Sequence, residues 1–363
     1  SVIYSRSLTK DCIQMVANNT QVMDLTIAVD ATVSTSKTAG AGIVMGDISR
    51  SGLGASLGPC YGAVLERVGI SHHWDGLRLE FSSASFINKV YITAPHRYGI
   101  YGTSGQPTGG NWFNDIQCYP LGYYSGTVQA GIYLAQMDTT KWTSINCIGF
   151  PINFHLDASV GAINQQIFTG FTNEDASVMG VRLEGAYIPT NCVFTGGEFL
   201  TAGIYVGATA TNNTFTSITM RNYATAINHS VQIYGDNTKL VAIDIGGSSV
   251  STNTYDGIVI NSGADGTQVV GCGAKLKRYG INVVNGATNT IIQGNNFNGN
   301  NTAGASLGTT TRANSKISGN YGIDDYLTSI SAAPDFIGQT SIVASQWYMA
   351  KGTATTADWV LLG

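Results

Sequence analysis

The sequence predicts an all-β chain folded as a right-handed parallel β-helix with a small C-terminal β tail. Three observations predict it: two interleaved ladders of apolar residues at coil-sized spacing, a period of two within the strands, and a glycine before most positions of one ladder. Charged residues make up only 11% of the 363 residues, and glycine alone contributes 45. This composition favours strands and turns over helices.

The first ladder is a series of short strings that place a β-branched residue or leucine at a recurring position. Successive members are 23, 32, 20, 29, 23, 23, 31 and 23 residues apart. The members are Leu77, Ile100, Ile132, Ile152, Val181, Ile204, Ile227, Ile258 and Ile281. Seven of the nine follow a glycine, which fits a tight corner where a Cβ would clash with the next coil.

A second ladder runs out of phase with the first, at steps of 22 to 29 residues. Its members are Val68, Val90, Ile116, Ile145, Ile167, Val193, Phe215, Ile243, Val270, Ile292 and Ile317. Two ladders imply that each coil contributes at least two strands to two parallel sheets, with loops inserted between coils. The asparagine-rich stretch 294–301 fits a corner turn at which amides stack between coils.

Two other repeat folds are disfavoured by the same pattern. Helical repeats require apolar positions three and four residues apart, whereas the residues two positions after the first ladder are nearly all apolar. A β-propeller blade needs about forty residues and antiparallel hairpins.

The predicted organisation has three parts: irregular first coils or an N-terminal cap over 1–60, the β-helix over 61–320, and the β tail over 321–363. Predicted strands outside the ladders are Leu25–Val29 and Gly42–Met45 near the start, and Phe336–Gly338, Trp347–Ala350 and Asp358–Leu362 in the tail. The tail is expected to cap the open end of the solenoid or to form an oligomer contact.

Charge and cysteine spacing exclude several classes. A net charge of −4 argues against nucleic-acid binding, and no apolar run approaches the ~18 residues of a membrane-spanning helix. The six cysteines form no C-x-x-C pair, so free and mostly buried thiols are expected, with no metal and no cofactor. Free thiols fit synthesis in a reducing cytoplasm, and the first residues, 1–6, lack the features of a secretion signal.

The tail string Gly352-Thr353-Ala354-Thr355-Thr356-Ala357-Asp358-Trp359, after a Tyr-Met-Ala strand, resembles the C-terminal end of many bacteriophage tailspikes. The predicted pectate-lyase-like β-helix resembles the same family of polysaccharide depolymerases over nearly the whole chain. The resemblance implies a homotrimer, attached to the phage tail or baseplate in the virion, that acts at the bacterial cell surface on capsule, O-antigen or exopolysaccharide. The family shares no universal catalytic signature, so site residues must be argued from this sequence.

Residues one position after the first ladder are expected to point outward and to form a row along the rod. The predicted substrate-binding residues in this row are Arg78, Tyr101, Tyr133, Asn153, Arg182, Tyr205 and Asn228. Tyrosine rings offer apolar faces and a hydroxyl to sugars, and arginine binds carboxylates bidentately. The alternative is that these side chains only stabilise neighbouring strands.

Glycosidic hydrolysis typically needs two carboxyl groups. Asp157 and Glu184 are predicted to lie one coil apart and two residues out of register, roughly 8 Å between backbones, which fits an inverting separation. His155 is predicted to lie beside Glu184, and Arg182 beside Asn153. Competing catalytic carboxylates from the same coils are Glu174, Asp175 and Glu198.

Two other activities stay open. One is β-elimination from a uronic-acid polymer, in which Arg182 would neutralise the carboxylate and His155, Tyr133 or Tyr205 would abstract the C5 proton. The other is a non-catalytic receptor-binding fibre that uses the same row as a lectin.

Overall fold

The computed structural model describes residues 1–363 except 31–36, 48–59, 103–108, 121–128, 201–202, 222–228, 248–253, 309–314, 323–339, 344–345, 354 and 362–363. The chain divides into two compact units, which we call unit 1 (Ser1–Asn213) and unit 2 (Thr214–Gly363). The predicted all-β parallel β-helix is confirmed, since strands in both units pair in parallel with strands from the next coil. Among the described residues, no helix has the length and apolar character needed to cross a membrane.

Unit 1 contains two long parallel sheets and two short corner ladders. Its first sheet contains Val2–Ser5, Gln21–Val29, Val64–Ser71, Phe86–Thr93, Trp112–Tyr119, Thr140–Ile148, Gln166–Glu174, Val193–Thr195 and Glu198–Phe199. Its second sheet contains Ile13–Met15, Ala41–Met45, Asp75–Leu79, Tyr98–Gly102, Ala130–Leu134, Ile152–Asp157, Met179–Glu184 and Ile204–Val206. The corner ladders pair Cys60–Tyr61 with Ser82–Ser83 and Ile163–Asn164 with Pro189–Thr190.

Unit 2 repeats this arrangement with shorter strands. Its first sheet contains Thr214–Thr216, Thr219–Arg221, Lys239–Val241, Asp244–Gly246, Gln268–Val270, Gly273–Ala274, Ile291–Gln293 and Lys316–Ser318. Its second sheet contains Val231–Ile233, Ile258–Ile260, Tyr279–Val283 and Ala303–Leu307.

The tail forms an antiparallel three-stranded sheet. Its strands are Thr340–Val343, Gln346–Ala350 and Trp359–Leu361, and the last follows a 3-10 turn over Thr356–Asp358. The second and third predicted tail strands are confirmed to within two residues. The predicted strand Phe336–Gly338 lies outside the described residues.

The core is built from the inward side chains of successive coils, which stack in register. Ring centroids lie 4.0 Å apart for Phe113 and Trp142, 5.2 Å for Trp142 and Phe168, and 4.6 Å for Phe168 and Phe194. These stacked rings lie in the core of unit 1. All six cysteines are free and five are buried, as expected.

Several members of the predicted ladders are misplaced. Ile145 pairs with Phe171 rather than with Ile167. The inward places of three strands belong to the neighbouring residues Phe168, Phe194 and Val269, which leaves Ile167, Val193 and Val270 only partly buried. Ile227 lies outside the described residues, and the strand that pairs with Ile258–Ile260 is Val231–Ile233.

Stacked asparagines hold a corner of the coils in unit 2, as the stretch 294–301 predicts. The buried Asn295 accepts a hydrogen bond from the Cys272 amide at 2.7 Å and donates to the Val269 carbonyl at 2.9 Å. Its own amide N–H donates to Oδ1 of the buried Asn320 at 3.0 Å. The ladder satisfies backbone groups that a turn would otherwise leave unpaired.

Candidate functional site

The outward row on the second sheet of unit 1 crosses six successive strands. Parallel pairing puts these residues side by side: Arg78, Tyr101, Tyr133, His155, Arg182 and Tyr205. The row is outward because the residue on either side of each member points into the core. Five of these residues were predicted, and the sixth, His155, takes the place of Asn153. Asn228 lies outside the described residues.

The prediction that Asn153 points outward is wrong, because it occupies the glycine position of its coil. Its side chain is fully buried, accepts from the Phe150 amide at 3.2 Å, and donates to Asn173 Oδ1 at 2.6 Å and to the Glu174 carbonyl at 3.0 Å. The strand is therefore displaced by two residues from the predicted alignment, and Phe154, not Ile152, pairs with Val181.

This displacement corrects the predicted alignment of the carboxylates. Asp157 pairs directly with Glu184, and His155 pairs with Arg182, where the sequence had suggested a two-residue offset. The two backbones are therefore about 4.8 Å apart rather than 8 Å. The alternation of Phe154 and Leu156 inward with His155 and Asp157 outward was the signal in the sequence that fixes this alignment.

Glu184 is held by two neighbouring side chains. Its Oε1 lies 3.0 Å from His155 Nε2 and 2.7 Å from Arg182 Nε, and its Oε2 accepts from Arg182 Nη2 at 2.8 Å. Partial burial opposes ionisation, but the hydrogen bonds from His155 and Arg182 outweigh it and lower the pKa of Glu184 below its usual value. Glu184 is therefore an ionised carboxylate at neutral pH.

Asp157 has a different, uncharged partner. The Tyr133 hydroxyl donates to Asp157 Oδ2 at 2.5 Å and lies 3.4 Å from the Ser159 hydroxyl. Burial and the adjacent Asp157 carboxylate raise the pKa of Tyr133. Two neighbouring carboxyl groups thus have different surroundings, one beside an arginine and a histidine and the other beside a phenol.

The competing carboxylates belong to the other sheet. Glu174 ends the strand Gln166–Glu174 and Glu198 pairs with Thr172, so both lie on the first sheet, with Asp175 directly after the strand end. The structure does not bring them together with Asp157 and Glu184 on one sheet face.

A tyrosine cluster extends the site toward the preceding coils. Tyr98 stacks on Tyr133 with 4.4 Å between ring centroids, and Tyr101 lies 4.9 Å from Tyr98 and 5.5 Å from Tyr133. Burial raises the pKa of Tyr98 to about 12, and its hydroxyl donates to Gln129 Oε1 at 2.5 Å. Sequence reasoning missed Tyr98 and Gln129, because the row was counted from the ladder and Tyr98 stands two residues before it.

The arginines at the start of the row are engaged inside the protein. Buried Asp75 accepts from Arg97 Nε at 2.9 Å and from Arg78 Nη2 at 2.9 Å. Arg78 also lies 3.6 Å from both Asp11 and Glu80. Arg97 lies 4.6 Å from the Tyr98 ring centroid and 4.7 Å from that of Tyr101. Arg78 therefore has a structural role at the start of the row. Its guanidinium is already surrounded by Asp11, Asp75 and Glu80, so it is not free for the predicted contact with substrate.

Substitution Arg182→Gln is expected to raise the pKa of Glu184, since it removes a cationic donor that lowers it. A carbon-13 titration of the Glu184 carboxyl would measure the midpoint in both proteins. The Asp265 carboxyl is an internal control, because hydrogen bonds from Thr288 and Asn289 lower its pKa independently of Arg182. An unchanged Glu184 midpoint would contradict the assignment of Arg182 as its partner.

No protein-family model and no curated protein matches the chain. A solved structure of the A-module of a mannuronan C-5 epimerase from Azotobacter vinelandii is similar at 13% identity and a TM-score of 0.42, over 88% of this chain and 90% of that one. PfbA, a surface adhesin of Streptococcus pneumoniae, is similar at 8% identity and a TM-score of 0.29, over 100% of this chain and 88% of that one. Among the described residues, no group of three His, Cys, Asp or Glu side chains is arranged to hold a metal ion.

Proposed function

We propose that unit 1 binds a polysaccharide along its second sheet and hydrolyses a glycosidic bond at Asp157 and Glu184. The observation that carries this proposal is the direct pairing of these two residues at the ends of adjacent strands. A pair of carboxyl groups flanking one bond is the usual requirement for this reaction. The tyrosine cluster next to the pair supplies ring faces for sugar stacking.

The environments of the two carboxyl groups favour different roles. Glu184, held ionised by His155 and Arg182, is suited to act as nucleophile or base. Asp157, whose Oδ2 accepts a hydrogen bond from the Tyr133 hydroxyl, would supply the second carboxyl group that the reaction needs. A backbone spacing of about 4.8 Å favours the closer carboxyl separation of a retaining enzyme over the wider one of an inverting enzyme.

Polyuronate elimination is the alternative, and one observation favours it: Tyr133, His155 and Arg182 stand side by side in the row. The charges weigh against it. Glu184 and Asp157 place two carboxylates beside Arg182, where a uronate carboxylate would bind. An anionic sugar at this point would be repelled.

We further propose that the chain is a phage tailspike, a homotrimer in the virion tail that acts on capsule, O-antigen or exopolysaccharide of its host. The tail string 352–359, the β-helix and the scarcity of charged residues support this role. Sedimentation of the purified chain at three times its monomer mass of 38.2 kDa would support the trimer, and a monomer would contradict it.

Incubation of the protein with polysaccharides extracted from candidate host bacteria is expected to release oligosaccharides with new reducing ends. Absorbance near 235 nm should stay flat, because only elimination creates a conjugated double bond. Absorbance that rises with chain cleavage would establish the lyase instead. Binding without any new chain ends would establish a lectin and overturn the hydrolase.

A further inference from the structure

The arrangement around Asp75 occurs a second time, in unit 2. In each copy an aromatic residue precedes Asp-Gly, and Arg-Tyr-Gly-Ile begins 22 residues after the aspartate. The copies are Trp74-Asp75-Gly76 with Arg97-Tyr98-Gly99-Ile100, and Tyr255-Asp256-Gly257 with Arg278-Tyr279-Gly280-Ile281. We call the second copy the Asp256 node; it comprises His229, Tyr255, Asp256, Lys277, Arg278, Tyr279 and Asn282.

The Asp256 node has the same central ion pair as the copy in unit 1. Arg278 Nε donates to Asp256 Oδ1 and its Nη2 donates to Oδ2, both at 2.8 Å. Asn282 Nδ2 donates to Oδ2 at 2.9 Å, and Asp256 has no exposed side-chain surface. Both oxygens of the Asp256 carboxylate thus accept hydrogen bonds inside the protein, while 34% of the Arg278 side chain remains exposed.

The two copies differ in what surrounds the arginine. The position of Arg78 is taken by Val259, and that of Tyr101 by Asn282. In unit 1, Asp11 and Glu80 add carboxylates around the arginines. In unit 2, Asp256 is the one carboxylate among the described residues whose charge raises the pKa values of Arg278 and His229. Asp256 therefore balances the charge of Arg278, and any further cation or hydrogen-bond donor of the Asp256 node is in excess.

His229 adds a hydrogen-bond donor, and Lys277, whose pKa is lowered by burial to about 8, adds a buried cation. The Asp256 backbone N–H donates to His229 Nδ1 at 2.9 Å, so the proton of the neutral ring lies on Nε2 and makes that nitrogen a donor. Lys277 is fully buried, and its Nζ has no hydrogen-bond partner among the described residues. Burial, together with Arg278 and Lys277, lowers the pKa of His229, so its ring is neutral at neutral pH.

We propose that the Asp256 node is a second saccharide-binding site, specific for an acidic sugar whose carboxylate accepts hydrogen bonds from Arg278 and His229 Nε2. The rings of Tyr255 and Tyr279 flank these donors: Tyr255 lies 5.9 Å from the His229 ring and Arg278 lies 5.1 Å from the Tyr279 ring centroid. Half-buried tyrosines beside charged donors suit a sugar ring that carries a carboxylate. The site is separate from Asp157 and Glu184, so it goes beyond hydrolysis in unit 1.

Titration of the protein with trigalacturonate and with sialyllactose, followed through its imidazole NMR signals, tests this site. At least one acid is expected to shift the His229 signal and to raise the pKa of His229, because a bound carboxylate favours the imidazolium. The matched neutral sugars, methyl-esterified trigalacturonate and lactose, should leave the signal unchanged. Failure of both acids, or equal shifts with the neutral sugars, overturns the proposal.

Two variants separate binding from folding. His229→Asn keeps an acceptor for the Asp256 amide but removes the Nε2 donor, and it should weaken binding of the acid about tenfold. Lys277→Met removes the buried charge and should also weaken binding, whereas the control Lys239→Met, at an exposed strand position, should not. Unchanged affinity in His229→Asn contradicts the site. Asp157→Asn should abolish cleavage and leave this binding intact, so the two proposals fail independently.

Discussion

Substitution Glu184→Gln is expected to reduce polysaccharide cleavage about a thousandfold or more, since it removes the ionised carboxylate that attacks the sugar or activates water. Glutamine keeps the size of the side chain and can still meet Arg182 and His155, so the fold should remain. Reducing ends released per minute would be the measurement, with binding of the same polysaccharide recorded in parallel.

Asp157→Asn should cause a loss of similar size, and the double substitution should add little to either single one, because the two carboxyl groups act on one bond. Glu198→Gln is the matched control, since it removes a carboxylate from the other sheet of the same unit. Full activity in Glu184→Gln, or an equal loss in Glu198→Gln, would remove the assignment.

Substitution Arg278→Met is expected to destabilise unit 2 by about 3 kcal/mol, because it leaves the fully enclosed Asp256 without its charged partner. Among the described residues, Asn282 and His229 Nδ1, the latter at 3.6 Å, would remain near the carboxylate. Hydrogen exchange of the strands Ile258–Ile260 and Tyr279–Val283 would measure the loss locally.

Arg97→Met provides the comparison within the same chain. Asp75 keeps two contacts with Arg78, at 2.9 and 3.2 Å, so unit 1 should lose clearly less stability than unit 2 loses in Arg278→Met. Equal losses of stability in the two variants would mean that Arg78 does not compensate for the loss of Arg97. No loss in Arg278→Met would show that the pair of Arg278 and Asp256 does not stabilise its coils.

The fold could be predicted because the coils of a parallel β-helix produce a regular spacing of apolar residues in the sequence. Inward residues such as Leu77 and Ile132 recur in every coil, and no long-range information is needed to find them. The boundaries of 1–60, 61–320 and 321–363 stay a prediction. Alignment failed where one side chain replaced another of different size: Phe171 took the inward place beside Ile145 expected for Ile167, and Asn153 took the place of a glycine.

The candidate site was predicted in part. The outward positions of Tyr101, Tyr133, Tyr205 and Arg182 follow from the alternation of inward and outward residues alone. The direct pairing of Asp157 with Glu184 depends on the two-residue displacement that Asn153 introduces. The neutralisation of Arg78 by carboxylates of the protein could not be predicted from the sequence, for a different reason. Arg78 looks like a binding residue in the sequence, and only the three-dimensional arrangement brings Asp11, Asp75 and Glu80 around it.

Asp75 and Asp256 are 181 residues apart, as are Arg97 and Arg278. In a solenoid, each coil depends mainly on its immediate neighbours, so a pair of coils is a heritable module that can be copied without disturbing distant ones. The two coil pairs differ at single outward positions, Arg78 against Val259 and Tyr101 against Asn282. Exchange of such coil pairs between related chains would change which sugars are recognised while leaving the carboxyl pair of unit 1 untouched.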